Sequence, residues 1–184
     1  MGEDMLVGHE ARTWSLLLGV MMWLPAELDA YLERVAGVSH AEYQVLRWLS
    51  AGEDRELHMT RLAATANVTP SHLSRIVARL ERRGWIERGP DPDDARRTLA
   101  RLTPVGAATV ADCEPGYAAE VRRLVFAHLH RDQVDQLARI AEAVLTPLRP
   151  DCIAALPGPE RAVGQAQAAG TLPHVTLAEG TITP

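Results

Sequence analysis

Residues 69–103 read TPSHLSRIVARLERRGWIERGPDPDDARRTLARLT, and this stretch decides the fold of the chain. Thr69 offers a capping hydroxyl, and Pro70 stands at the first helical position, where a missing N–H costs nothing. Leu73, Ile76, Val77 and Leu80 recur at i, i+3, i+4 and i+7, which predicts a helix over 70–83 with one apolar stripe turned to a core. The opposite face carries Ser71, Arg75, Ala78 and Arg82, with Ser74 and Arg79 at its margins. Small and hydroxylic residues near the helix start allow close approach to base edges, and the cations further along suit phosphates. Any solvated helix also shows a polar face, so the flanks carry the decision.

Upstream, 60–66 (TRLAATA) reads as a short helix with Thr60 as its candidate cap. Asn67 tolerates the left-handed backbone of a tight turn, so the pair forms a helix-turn-helix. Downstream, Gly84 ends the second helix and 85–88 (WIER) alternates as a half-buried strand. Residues 89–95 (GPDPDDA) are dense in turn formers, and 98–102 (TLARL) returns as a second strand. Arg96, Arg97 and Arg101 lie on or near this hairpin, and an arginine at its tip suits a narrow minor groove. The competing reading is that Arg88, Arg96 and Arg97 only solubilise an exposed edge.

The ordered set Leu80-Glu81 with Gly84, Arg88, Asp94 with Arg96, and Leu102-Thr103 with Gly106 resembles the MarR-type winged helix-turn-helix regulators. The resemblance extends more loosely over 10–148. It implies a mainly α fold with a small β-wing, in which a winged helix-turn-helix is flanked by N- and C-terminal dimerisation helices. Carried over by position, it places Ser71, His72, Ser74 and Arg75 at bases or phosphates and Arg96 at the wing tip, with Asp94 ordering an arginine. With the helix cap and the remaining cations, the candidate DNA-binding set is Thr69, Ser71, His72, Ser74, Arg75, Arg79, Arg82, Asp94, Arg96 and Arg97.

The chain is acidic, at −5, yet from Arg55 to Arg101 there are 10 Arg against 6 acidic residues. Positive charge is thus concentrated where a polyanion would be met, and the acidic remainder limits non-specific sticking. All 19 basic residues are Arg, to which no function is attached.

Outside this module, residues 9–35 repeat apolar residues at helical spacing, with Pro25 expected to kink or restart the helix. Ser39 and Glu42 form a capping box for a helix over 41–49. Thr103-Pro104 opens a helix that Pro115-Gly116 should bend and that continues to about Leu129; a last helix covers about 132–148. The expected organisation is therefore 1–38 and 104–148 as dimerisation helices, 39–103 as the winged module, and 149–184 as a Pro/Gly/Ala-rich tail or arm. The resemblance implies that the terminal helices intertwine in a homodimer, so that two recognition helices read a palindrome on double-stranded DNA with half-sites about 10 base pairs apart. It also implies a small phenolic or carboxylate effector near the junction of the two parts. Trp14, Trp23, Trp48, His40 and His58 are the aromatic candidates there, Trp14 and His58 foremost, and each Trp is equally readable as core.

No signal peptide is read, and the apolar run 14–25 is short for a bilayer, so a cytoplasmic protein without membrane contact is expected. Cys113 and Cys152 each adjoin acidic residues, which should raise their pKa and disfavour thiol sensing. His128 and His130 would point to different sides of one helix and form no metal site. No Gly-rich phosphate loop, nucleophile elbow or catalytic ligand pair is present, so neither an enzyme nor a cofactor is expected. The alternative function is a winged-helix module used for protein contacts, in which Arg75 and Arg96 are dispensable.

Overall fold

In a computed structural model, residues 5–52 and 54–149 are described. The expected Pro/Gly/Ala-rich tail or arm from residue 150 onward, with Cys152, lies outside them. The chain divides into two spatial units, Met1–Asp135 and Gln136–Pro184.

The first unit opens with α1 (Gly8–Ala36), a single helix that runs through Pro25 without restarting. It stops where Gly37 takes the left-handed backbone at φ +62°. Ser39 then caps α2 (His40–Ala51) in the expected reciprocal box: its hydroxyl accepts from the Glu42 N–H, and the Glu42 carboxylate accepts from the Ser39 N–H at 2.9 Å. A short strand, β1 (Glu56–His58), follows and leads directly into α3 (Met59–Thr65). That strand corrects the sequence reading, because His58 occupies the N-cap position and Thr60 lies inside the first turn instead of capping it.

Asn67 makes the turn at φ +51°, and α4 (Pro70–Arg82) begins beneath Thr69, whose hydroxyl accepts from the His72 N–H. Gly84, at φ +70°, releases the chain into β2 (Ile86–Pro90). The sheet order is β1-β3-β2, with β3 (Thr98–Leu102) in the middle and both pairings antiparallel. The wing strand therefore extends past Arg88 to Pro90, which faces Thr98, and the turn is confined to 91–97. Proline is tolerated there because β2 is an edge.

Thr103 caps α5 (Pro104–Leu124), a continuous helix containing Pro115 and Gly116. It ends five residues before the expected Leu129, and a 3₁₀ turn covers Phe126–His128 before α6 (Arg131–Leu148) begins. His128 and His130 consequently share no helix. Most of α6 belongs to the second unit, and along it Leu137, Ile140, Val144 and Leu148 are exposed.

Two apolar clusters hold the first unit. The larger joins Val45, Leu46 and Leu49 of α2, Leu62 of α3, and the predicted α4 stripe to Ile86 and Leu102 of the sheet. The smaller joins Leu28 and Leu32 of α1 to Val38, Tyr43 and Tyr117. Trp85 packs against both, and Trp48 against the first. Glycine permits two close approaches: Gly116 lies under the Tyr31 hydroxyl, and Gly106 lies against the Trp85 carbonyl.

Candidate nucleic-acid interface

Burying Leu73, Ile76, Val77 and Leu80 turns the other side of α4 outward, and Ser71, His72, Ser74, Arg75 and Arg82 are all exposed. Pro70, Ser71, Ser74, Arg75 and Ala78 line one open, shallow surface. Their small side chains leave room for a ligand to approach the helix backbone, and the first-turn N–H groups attract anions. Thr69 caps this end, so its hydroxyl already accepts one hydrogen bond, from His72 N.

Cations sort into two sets, a division the composition did not show. Arg88 Nε donates to Glu81 at 2.9 Å, which holds the Glu81 carboxyl below the usual range, and Arg101 Nε donates to Glu56 at 2.7 Å across the sheet. Arg79 Nε donates to the buried Glu42 at 2.6 Å. Among the described residues no acidic partner faces Arg75, and Arg82 reaches only the Ala78 carbonyl of its own helix.

Aspartates build the wing turn. Asp91 is buried, its backbone N–H donates to the Arg97 carbonyl, and its carboxylate accepts from the Asp93 N–H. Asp94 accepts from both the backbone N–H and Nε of Arg96, and its other oxygen lies 3.3 Å from Arg97 Nε. The Arg96 side chain nonetheless stays 94% exposed. Asp94 is thus placed to order the tip arginines, as expected, while Asp91, which the sequence reading passed over, closes the turn beneath them.

Trp14 and His58 are not brought into one crevice. Trp14 sits in a shallow surface lined by Leu6, His9, Glu10, Thr13 and Leu17 from its own end of the chain. His58 ends β1, with Nε2 3.7 Å from Asp91. His40 stacks on Tyr117 with ring centroids 6.0 Å apart, and Trp23 is open to solvent. Burial, with Asp112 and Glu114 beside it, pushes the Cys113 thiol up, in the expected direction.

The sequence profile of the MarR family matches residues 36–97. Over 82% of this chain and 95% of the other, the structure is similar to Sco3205, a MarR family transcriptional regulator from Streptomyces coelicolor solved in complex with DNA, with TM-score 0.75 and 35% identity. The chain belongs to the MarR family. AbsC, a family member from the same organism, superposes with TM-score 0.73 at 26% identity, covering 80% of this chain and 99% of its own. A mutant MarR from E. coli complexed with operator DNA gives TM-score 0.63 at 27% identity, over 71% of this chain and 91% of that one.

By sequence, the multiple antibiotic resistance protein MarR of Salmonella typhimurium is 36% identical over 73 residues, 40% of this chain and 51% of that protein. The repressor YetL of Bacillus subtilis is 28% identical over 85 residues, 46% of this chain and 51% of its own length. The chain therefore spans about half the length of the curated relatives it matches. All ten candidate DNA-binding residues fall inside the segment matched to the MarR family, whereas Trp14 falls outside it.

Proposed function

We propose that this chain is a DNA-binding transcriptional regulator, acting as a repressor, that reads a palindromic operator as a homodimer through α4 and the wing over 85–102. One observation carries the reading: Ser71, Ser74 and Arg75 form an open face that no other side chain among the described residues pairs with, beside a wing whose tip arginine is almost fully exposed. Base edges are reached by Ser71, His72, Ser74 and Arg75, and phosphates by the α4 N-terminus near Thr69 and by Arg82, Arg96 and Arg97. Relatives solved with DNA support this assignment, as does a relative named a repressor.

Homodimerisation is supported by α1, on which Leu16, Val20 and Trp23 are exposed at helical spacing. A twofold pair doubles the number of base pairs read and fixes their separation. A phenolic or carboxylate effector that tilted the pair would change that separation and release the duplex.

The test is selection of bound duplexes from a random pool, followed by mobility shift of the best duplex against excess unrelated DNA. The reading expects one symmetric sequence whose retardation survives the competitor. Retardation lost to competitor, with Arg75→Ala and Arg96→Ala unaltered, would assign the module to protein contacts instead.

A further inference from the structure

Arg79, in the last turn of α4, and Arg83, its C-cap residue, lie four residues apart, on a flank between the apolar stripe and the outward face. Both side chains are committed to the corner between α1 and α2, Arg83 to the turn itself and Arg79 to the first turn of α2. Arg79 Nε donates to Glu42 Oε1 at 2.6 Å, and Glu42 Oε2 accepts from the Ser39 N–H at 2.9 Å. Arg83 Nη2 donates to the Gly37 carbonyl at 2.7 Å, and its guanidinium lies 4.9 Å over the Trp85 ring. Gly37 in turn closes the last turn of α1 through its N–H to Glu33 O. Two fixed anchors one turn apart constrain both the rotation of α4 about its axis and its tilt, which a single contact cannot do.

Glu42 is an unusual anchor for a solvated pair, because its side chain is only 7% exposed while that of Arg79 is 47% exposed. Burial disfavours its charge, and the Ser39 N–H and the Arg79 guanidinium outweigh that penalty, so its carboxyl is held below the usual value. Glu42 therefore serves the α2 cap with one oxygen and the recognition helix with the other.

We propose that Glu42, Arg79 and Arg83 are positioning residues for DNA recognition, tying the C-terminal end of α4 to the α1–α2 turn and the first turn of α2 so that the Ser71–Arg75 face is presented at a fixed angle. Arg79 then acts through orientation and not as a phosphate ligand. This inference rests on the regulator reading above.

The test uses the full chain, the best duplex selected by the wild-type protein and a random duplex of the same length. Glu42→Gln retains an oxygen for the Ser39 N–H and so keeps the cap, but it loses the charge that holds Arg79. Glu42→Gln and Arg79→Ala should each lower affinity for the selected duplex about ten-fold relative to the random one, with the slope of log affinity against log salt unchanged. Their double variant should lose no more than either alone, and Arg83→Ala should shift affinity the same way.

The inference is overturned if Arg79→Ala flattens the salt slope as a lost phosphate contact does while Glu42→Gln leaves affinity intact. It is equally overturned if all three variants bind as the wild type does. Failure of the regulator reading is distinguishable, since the wild-type protein would then enrich no duplex; the positioning role would fall with it.

Discussion

Removing the Arg96 guanidinium offers a quantitative check on the wing. The side chain is 94% exposed and its contacts are local, to Asp94 at 3.3 Å, so Arg96→Ala should leave stability within about 0.5 kcal/mol of wild type. On DNA the change is electrostatic. Each phosphate contact contributes about 0.9 to the slope of log affinity against log salt, so loss from both wings of a dimer removes about 1.8. Raising salt four-fold, from about 50 to about 200 mM, should then shrink the affinity gap between wild type and variant by about 12-fold. Fluorescence anisotropy on the selected duplex across a salt series reads this directly. Arg88→Ala serves as the internal control, because its guanidinium is already neutralised by Glu81 and its removal should leave the slope unaltered. Equal slopes for wild type and Arg96→Ala, or an equal change for Arg88→Ala, would refute the reading that the exposed Arg96 meets a phosphate while Arg88 stays with Glu81.

Three further outcomes are expected. Gly106→Ala places a methyl group against the Trp85 carbonyl and 2.8 Å from Leu102 Cδ1, overpacking worth about 1–3 kcal/mol; thermal denaturation should show a fall of about 2–12 °C, whereas Gly89→Ala, with open space, should stay close to wild type. Burial holds the His40 pKa below 6.5, and Gln44 Nε2 at 2.9 Å needs the imidazole nitrogen as acceptor. A depressed folded pKa gives stability that is present above the unfolded value and lost as pH falls through the folded one, so the melting temperature should drop below about pH 6.5, and less so in His40→Gln. Trp23→Glu on α1 should convert a dimer to a monomer in sedimentation velocity, and an unchanged sedimentation coefficient would remove this face from the interface.

Features of this fold that depend on neighbours in sequence were legible before the structure. The Ser39–Glu42 box, the Thr69 and Thr103 caps, the αL turn at Asn67 and the α4 stripe each need only residues within about one or two helical turns. What depends on distant pairing was not. β1 is three residues long and exists because Glu56, Leu57 and His58 meet Arg101, Ala100 and Leu99, so it has no period to detect. The fate of each arginine was hidden for the same reason. Arg79 finds its acid 37 residues away and Arg101 finds one 45 away, so an outer helix position that reads as a free cation is in fact committed. The open Ser71–Arg75 face was legible because, among the described residues, nothing distant covers it.

By length and composition α1 would suffice to cross a membrane, which makes its bare apolar surface open to two explanations. Packing separates them. Leu28 and Leu32 are buried with Tyr43 and Tyr117, and Tyr31 sits against Gly116, so the last third of α1 is built into the first unit and is not available to a bilayer. What remains between Arg12 and Glu27 is an uncharged run over 13–26, about 21 Å of helix against a hydrocarbon core of about 30 Å. A second protein surface has no such length requirement, because it needs only complementary side chains over a few turns. In the proposed dimer Leu16, Val20 and Trp23 would form that surface, on a helix whose C-cap carbonyl at Gly37 accepts from Arg83, the C-cap residue of α4, so a partner that reorients α1 would act on the same corner that holds α4.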